Sequence, residues 1–307
     1  MFRQVSVGLP LYGGFYFLPR LVSALKLQSG VDIQLVVIET DPDGRSESYL
    51  RQSFSNLVYE KITKKDFSHS QTRQRISELA TNDILIFITQ DAVPASNLWA
   101  LHHLETFERL PDLCAAVVGR QIPEIWAPLH QRRRIETTFN SIGGQYGITI
   151  FFSKSQDSVL GSDLSFLSNS NCSYRRLILV NHIPFPRVDY AEDQAIARAL
   201  LKANYLLAYN PDASVIHTNK LSLLETFSAT KAEIIGLNQA FDLVVNKRNL
   251  GFTYKYLLRN IFFNLRWILS SRTNLKYIRS IPSSLFFELQ IVLADYSAYK
   301  FLRSRNF

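Results

Sequence analysis

The chain has 307 residues, 47% hydrophobic and 20% charged, a balance that excludes a disordered or fibrous protein. Its two cysteines, Cys114 and Cys172, exclude a disulfide framework or cysteine-rich metal module and fit a reducing cytoplasm. The net charge of +8 is unevenly placed: from Lys247 onward eleven Lys or Arg face only Glu288 and Asp295, so that tail carries +9 and the rest −1.

Met1–Phe2–Arg3–Gln4 runs straight into VSVGLPLY, with no basic-then-apolar leader pattern. VSVGLPLY (5–12) reads as a strand ended by Gly13–Gly14, and FLPRLVSALKLQ (17–28) as a helix with Leu18, Leu21, Val22 and Leu25 on one face. IQLVVIE (33–39) is a continuous apolar strand, as expected where both faces of a parallel sheet are covered. TDPDGRSES (40–48) is turn chemistry, followed by LVYEKI (57–62), a helical HSQTRQRISELA (69–80) and a third apolar run, ILIFITQ (84–90). This βαβαβ order predicts an open α/β sheet, whose ligands sit beyond the carboxyl ends of its strands. Gln90 and Asp91 lie at such an end.

The middle is less regular. LCAAVVGRQIP (113–123) reads as a strand and turn, QRRRIETTFN (131–140) as a polar helix or loop, and DLSFLSNSNCSYRRLIL (163–179) as a strand passing into a helix. YAEDQAIARALLKANY (190–205) predicts a helix with Ala195, Ile196, Ala199 and Leu200 on one side. LLAYNPDASVIHTN (206–219) predicts a strand, a turn and a strand. Beyond about residue 222 the pattern is helical, punctuated by Pro282, which divides the chain into a 1–222 α/β domain and basic amphipathic helices over 223–307. No uncharged apolar run is long enough to span a bilayer.

Several groups carry chemistry. Asp91 on a strand tip suits a divalent cation that must keep positions open for phosphate oxygens. Taken alone it equally suits a solvated acid or a helix cap. Glu192–Asp193 opens a helix, where acids are favoured by the dipole. A carboxylate there can also accept a proton from a hydroxyl nucleophile. His217 ends a strand and could complete an Asp-plus-His metal site. His69 and Arg73 share a helical face at i and i+4, and Arg175–Arg176 follow SNSNCSY. Guanidinium groups suit phosphate.

Together these segments resemble the family 2 glycosyltransferases of the GT-A fold, and within them the rhamnosyltransferase-like enzymes of bacterial cell-surface polysaccharide synthesis. The resemblance covers residues 4 to 220. VSVGLPLY is similar to the opening nucleotide-binding strand. FSHSQTRQ resembles the subgroup's Phe-x-His-x-x-Thr-Arg-Asn segment, with Gln74 replacing Asn. FITQDAVP resembles its version of the Asp-x-Asp motif, with Gln90 preceding the retained Asp91. VVGRQIP and Phe139–Asn140 follow in order, SNSNCSYRR resembles an acceptor-side segment, and AEDQ…VIH the Glu-Asp helix and histidine strand.

The resemblance implies a GT-A sheet, Rossmann-like and nucleotide-binding, with helices on both faces and a C-terminal helical region. It implies Asp91 and His217 as ligands of Mg²⁺ or Mn²⁺, Asp193 as general base, and Glu192 beside it as an orienting group. The donor side would comprise Pro10, Tyr12, Glu39, Asp41, His69, Arg73, Gln90 and Asp91, and the acceptor side Asn171, Tyr174 and Arg175. The family's Asp-x-Gly-Ser loop is here ETDPDGRS, so either Glu39 or Asp41 would meet the base. No Gln-x-x-Arg-Trp motif of processive synthases is present, which points to single-sugar transfer. The expected activity is inverting transfer from a nucleotide-diphosphate sugar, dTDP-rhamnose by subgroup likeness, to a lipid-linked or soluble saccharide.

FTYKYLLRNIFFNLRWILSSRTNLKYIRS mixes aromatic, aliphatic and basic residues, the composition of helices that lie on anionic membranes. The expected location is therefore cytoplasmic, peripheral to the inner membrane; packing on the body or in a homodimer is the alternative for these helices. A sequence pI near 9.4 also raises nucleic-acid binding, but the charge is confined to the tail and no reader motif accompanies it. An inactive nucleotide-sugar-binding scaffold is the third reading.

Overall fold

The computed structural model describes residues 3–13, 15–40, 44–152, 166–188, 190–218, 222–241, 250–270 and 272–305. In chain order the elements are β1 (Gln4–Tyr12), α1 (Leu18–Lys26), β2 (Asp32–Thr40), α2 (Arg45–Ser53), β3 (Leu57–Ile62), α3 (His69–Leu79) and β4 (Ile84–Ile88). There follow β5 (Val93–Pro94), α4 (Trp99–Arg109), β6 (Cys114–Ile122), α5 (Leu129–Ser141), β7 (Thr149–Phe151), β8 (Asn171–Arg175), α6 (Arg176–Asn181), α7 (Glu192–Lys202) and β9 (Leu206–Ile216). The chain continues through α8 (Leu223–Phe241), α9 (Leu250–Leu269), a 3₁₀ segment (Arg272–Ser280) and α10 (Ile281–Arg305).

The strands form one sheet in the order β3-β2-β1-β4-β8-β6-β9-β5, with β7 also on β9. β1, β2, β3 and β4 run parallel. Alternate residues of β1 explain its unbroken apolarity: Val5, Val7, Leu9 and Leu11 are buried against the apolar side chains of α1, Leu50 of α2 and Trp99 of α4. The other face meets α3, so both faces are dry and a polar–apolar alternation would bury charge. The chain walks outward from β1 to β3 and then returns to β1's other side with β4. That reversal opens a crevice at the carboxyl ends of β1 and β4.

The second half departs from parallel order. β8 runs antiparallel between β4 and β6, and β9 lies parallel to β6. β9 is one strand where a strand, turn and strand were expected. Its register slips between Gly119↔Asn210 and Gln121↔Val215, so the NPDA segment is absorbed as a bulge.

That bulge is held by Asn171. Its Nδ2 donates to the carbonyls of Arg120 (3.1 Å) and Ala213 (2.7 Å), and its Oδ1 accepts from Trp99 Nε1 (2.8 Å) and His103 Nε2 (3.0 Å). All four hydrogen-bonding positions of the amide are filled. Gly119 makes room for it, since a Cβ there would lie 1.9 Å from the Ala213 carbonyl oxygen and 2.3 Å from Asn171 Nδ2.

The chain divides into two compact units, one of residues 1–122 with 139–217 and one of 123–138 with 218–307. A single cut after residue 222 therefore misplaces residues 123–138. The reason is visible in α5: Arg133 donates to Asn264 and Glu288, Arg134 to Glu233, and His130 stacks on Phe287 at 4.4 Å. The polar residues of this helix find their partners in the C-terminal helices, a pairing that no local pattern reveals.

Burial, opposed by the Asn171 hydrogen bond, brings His103 from 6.5 to about 4, and burial with the charges of Arg134 and Arg133 brings His130 to about 4 as well. Between about pH 6.5 and 4 the unfolded chain therefore binds protons that the native chain refuses, so stability is full above this window and lost as pH falls through it. Each histidine contributes on the order of 3 kcal/mol to the loss. Urea unfolding from pH 7 to 4 should show a falling midpoint, with a shallower slope for His103→Gln.

Candidate active site

The crevice between β1 and β4 is bridged at its lip: the Tyr12 amide donates to Gln90 Oε1 at 3.0 Å. β4 ends at Ile88 rather than running to Gln90, because the chain turns, with the Ala92 amide donating to the Thr89 carbonyl at 3.0 Å. Gln90 and Asp91 occupy the corner of that turn. The next two residues form β5, whose Val93 and Pro94 pair antiparallel with Ile216 and Val215. This pairing carries the Asp91 turn to the residue that follows Ile216, which is His217. His217 Nε2 lies 3.4 Å from Asp91 Oδ2.

His217 is itself oriented. Gln121 Nε2 donates to Ser168 Oγ (2.8 Å), which leaves Gln121 Oε1 to accept from His217 Nδ1 at 3.1 Å. With the proton on Nδ1, Nε2 presents a lone pair toward a carboxylate oxygen. Two lone pairs at that distance require a cation between or beside them, either a second proton on the ring or a metal ion. Burial pushes the Asp91 carboxyl up, but the hydrogen bond and charge of His217 outweigh it and leave the acid below the ordinary carboxylate range. One hard oxygen and one imidazole on adjacent strand ends fit a divalent ion that keeps further positions for diphosphate and water. Among the described residues no set of three His, Cys, Asp or Glu gathers anywhere, so any ion here would draw its remaining ligands from outside these side-chain types.

The second cluster joins α3 to α7. Arg73 Nη1 donates to Glu192 Oε1 at 2.7 Å, with both side chains buried, and Asn169 Nδ2 approaches the same oxygen at 3.4 Å. Burial raises Glu192, but the Arg73 charge leads a set of favourable interactions that hold it below its ordinary range. His69, one turn before Arg73, is lowered by burial and then by the Arg73 charge, against the pull of Glu192. Its ring is boxed by Phe67 (4.8 Å) and Tyr190 (6.5 Å). α7 begins from Ala191 in a left-handed conformation (φ 59°, ψ 35°). A β-carbon is strained there. Two residues on, Asp193, half-buried in the first turn, accepts its neighbour's amide, Gln194 N to Oδ1, at 2.9 Å.

The remaining expected residues fall out differently. Glu39 is buried at the end of β2 and accepts from the Tyr59 hydroxyl. Pro10 is half-buried on β1 and Tyr12 is exposed at its end. Asp41 lies outside the described residues. The acceptor-side expectation needs correction. Asn171 is spent on the β9 bulge. Tyr174 is buried, and its hydroxyl donates to Asn169 Oδ1 at 2.7 Å. Arg175 pairs with Ile84, at the end of β4 away from Asp91. There it donates to the Cys114 carbonyl and bridges to Asp112 at 3.0 Å. These three side chains brace the sheet.

Sequence reading missed Gln121, Asn169 and Ala191. Gln121 carried a usable signal, since it sits at the end of an apolar run just as Asp91 does. Asn169 stood unmarked in SNSNCSY, and nothing in the sequence marks a left-handed alanine.

The Glycosyl transferase family 2 model matches residues 6–182. The chain belongs to this family. The glycosyltransferase is 32% identical over 228 residues to the O-antigen chain rhamnosyltransferase RfbN of Salmonella typhimurium, covering 73% of this chain and 69% of that one. It is 30% identical over 208 residues to the O-antigen chain rhamnosyltransferase WbaN of Salmonella anatum, covering 66% of this chain but only 62% of the relative. The fold is that of solved GT-A enzymes. It matches the mannosyltransferase PcManGT of Pyrobaculum calidifontis, in complex with GDP-Man and Mn²⁺, at a TM-score of 0.61 and 11% identity, over 97% of this chain and 86% of that one. It matches S. aureus TarS 1-349 in complex with UDP-GlcNAc at a TM-score of 0.56 and 13% identity, over 98% and 92%. The rhamnosyltransferase-like resemblance and the GT-A sheet expected from the sequence are thus borne out.

The buried pair between α3 and α7 makes a sharp prediction. Arg73→Met should cost about 3–5 kcal/mol, because Glu192 is left charged and uncompensated. Arg73→Met with Glu192→Gln should recover most of that loss in a urea-unfolding cycle, whereas simple additivity of the two single losses would refute a coupled pair.

Proposed function

We propose that this glycosyltransferase moves a single sugar, with inversion, from a nucleoside-diphosphate donor to a hydroxyl of a saccharide acceptor in cell-surface polysaccharide synthesis. The observation that carries the reading is the Asp91–His217 pair, pinned by β5 against β9 beside the β1–β4 crevice. Likeness to two O-antigen rhamnosyltransferases supports rhamnose as the sugar and dTDP-rhamnose as the donor.

In this reading Asp91 and His217 hold Mg²⁺ or Mn²⁺, which when bound supplies positive charge to the donor diphosphate as the sugar–phosphate bond breaks. Tyr12 and Gln90 line the lip of the crevice, and Glu39 is held by Tyr59 at the end of β2, on the nucleoside side. Asp193 accepts the proton of the attacking hydroxyl; its place in the first turn of α7 favours the carboxylate form that a base needs. Glu192 acts through Arg73, fixing the helix start from which Asp193 projects. Inversion follows from one in-line displacement, because the chain then needs only a base and no nucleophile. The acceptor is lipid-linked, and the enzyme works at the cytoplasmic face of the inner membrane, held by its basic C-terminal helices. Nucleic acid is not a partner in this reading.

Two variants separate the roles. Asp193→Asn should lower turnover by about 10²–10⁴-fold while leaving metal-dependent stabilisation by the nucleotide-sugar intact. Asp91→Asn should abolish that metal-dependent rise in melting temperature. Full turnover by folded Asp193→Asn, or an unchanged metal-dependent shift in Asp91→Asn, would overturn the corresponding assignment.

A further inference from the structure

Helix α9 and the first half of α10 bury uncharged polar groups and one carboxylate while large apolar side chains face out. On α9 the inward stripe is Asn260, Asn264 and Ile268, while Leu258, Phe262, Leu265 and Leu269 face out, Phe262 at 58% and Leu269 at 71% exposure. The first half of α10 repeats this: Ser284 and Glu288 are buried, and Leu285, Phe286, Leu289 and Leu293 face out, Phe286 at 62%. The interior groups satisfy one another. Asn264 Nδ2 donates to Glu288 Oε1 (2.9 Å) and approaches Ser284 Oγ (3.4 Å), and Arg133 donates to both Asn264 Oδ1 and Glu288.

A helix pair in water places its apolar stripe inward, because each exposed Leu or Phe forgoes about 1.5–3 kcal/mol of burial. A polar centre with an apolar shell is the arrangement for surroundings that offer no hydrogen bonds. No described helix is long and apolar enough to cross a bilayer, so these helices would lie in its plane.

The charge selects the partner. Lys255, Arg259 and Arg266 are exposed on α9, within a tail of net charge +9. A two-fold contact with a second copy would set two such cationic surfaces against each other, whereas an anionic leaflet neutralises them at about 1 kcal/mol per residue.

We infer that α9 and the first half of α10 form an in-plane anchor, whose Leu and Phe shell enters the acyl boundary of an anionic leaflet while Lys255, Arg259 and Arg266 meet its headgroups. This deepens the peripheral location proposed above and rests on it. It assigns that location to a helix pair whose Asn264, Ser284 and Glu288 contacts are sealed inside.

The test uses the full chain in sedimentation with vesicles of phosphatidylcholine alone or mixed with phosphatidylglycerol. Wild type should pellet with the anionic vesicles and weaken, without full release, at about 0.5 M NaCl. Phe262→Ser with Phe286→Ser, and separately Arg259→Gln with Arg266→Gln, should each reduce partitioning by about ten-fold or more. Neither should lower the melting temperature or the metal-dependent nucleotide-sugar shift. The anchor is overturned if wild type ignores anionic vesicles, or if the Phe variant melts several degrees lower and so reveals a packed face. It is also overturned if wild type is a dimer that the Phe variant splits, assigning the face to a second copy. Vesicle binding without any nucleotide-sugar shift would instead sink the transferase reading and leave the anchor standing.

Discussion

Two residues of strand pairing organise the site. Val93–Pro94 on Val215–Ile216 is a minimal ladder, yet it sets the end of the parallel half of the sheet against the end of the antiparallel half. Without it the Asp91 turn would be a free loop after β4, and His217 would end a strand three positions away in the sheet. The pairing converts two distant sequence positions into one donor pair, and the burial of Val93 and Val215 supplies the apolar contact that holds it. Proline is tolerated in β5 because this strand lies at the edge of the sheet.

Around that ladder the polar side chains divide into those that face the crevice and those that brace the frame. Asn171, Trp99 and His103 form a closed set of hydrogen bonds beneath the β9 bulge, so the bulge is a defined shape and not slack in the strand. Arg73 and Glu192 do the same between α3 and α7. Neither α3 nor the start of α7 can slide without exposing a charge to an apolar interior, a cost of several kcal/mol. The orientation of the acids at the head of α7 is therefore set by a helix more than a hundred residues earlier in the chain.

The parallel half of the fold was legible in the sequence because its signals are local. IQLVVIE and ILIFI are apolar without alternation, and the helix between residues 17 and 28 has one clean stripe. The other half was less legible, since its features arise from pairing. NPDA reads as a turn by composition, and only its alignment against Gly119–Gln121 makes it a bulge. Asn171, Tyr174 and Arg175 stand in a polar-looking segment whose residues resemble those of a binding loop. Placed on β8 between two strands, Asn171 and Tyr174 are buried, and Arg175 is half-buried at the end of the sheet away from Asp91. Asp91, His217, Arg73 and Glu192 stood out because they fall in segments that resemble a family pattern; the side chains hydrogen-bonded to His217 and Glu192, Gln121 and Asn169, are neutral amides that leave no such trace.

The amide of Gln121 has one more effect. With its oxygen turned to Nδ1, it keeps the proton of the His217 imidazole on that nitrogen and leaves Nε2 for the Asp91 side. His217 therefore turns Nε2, and whatever cation sits on it, toward Asp91 and the end of β4.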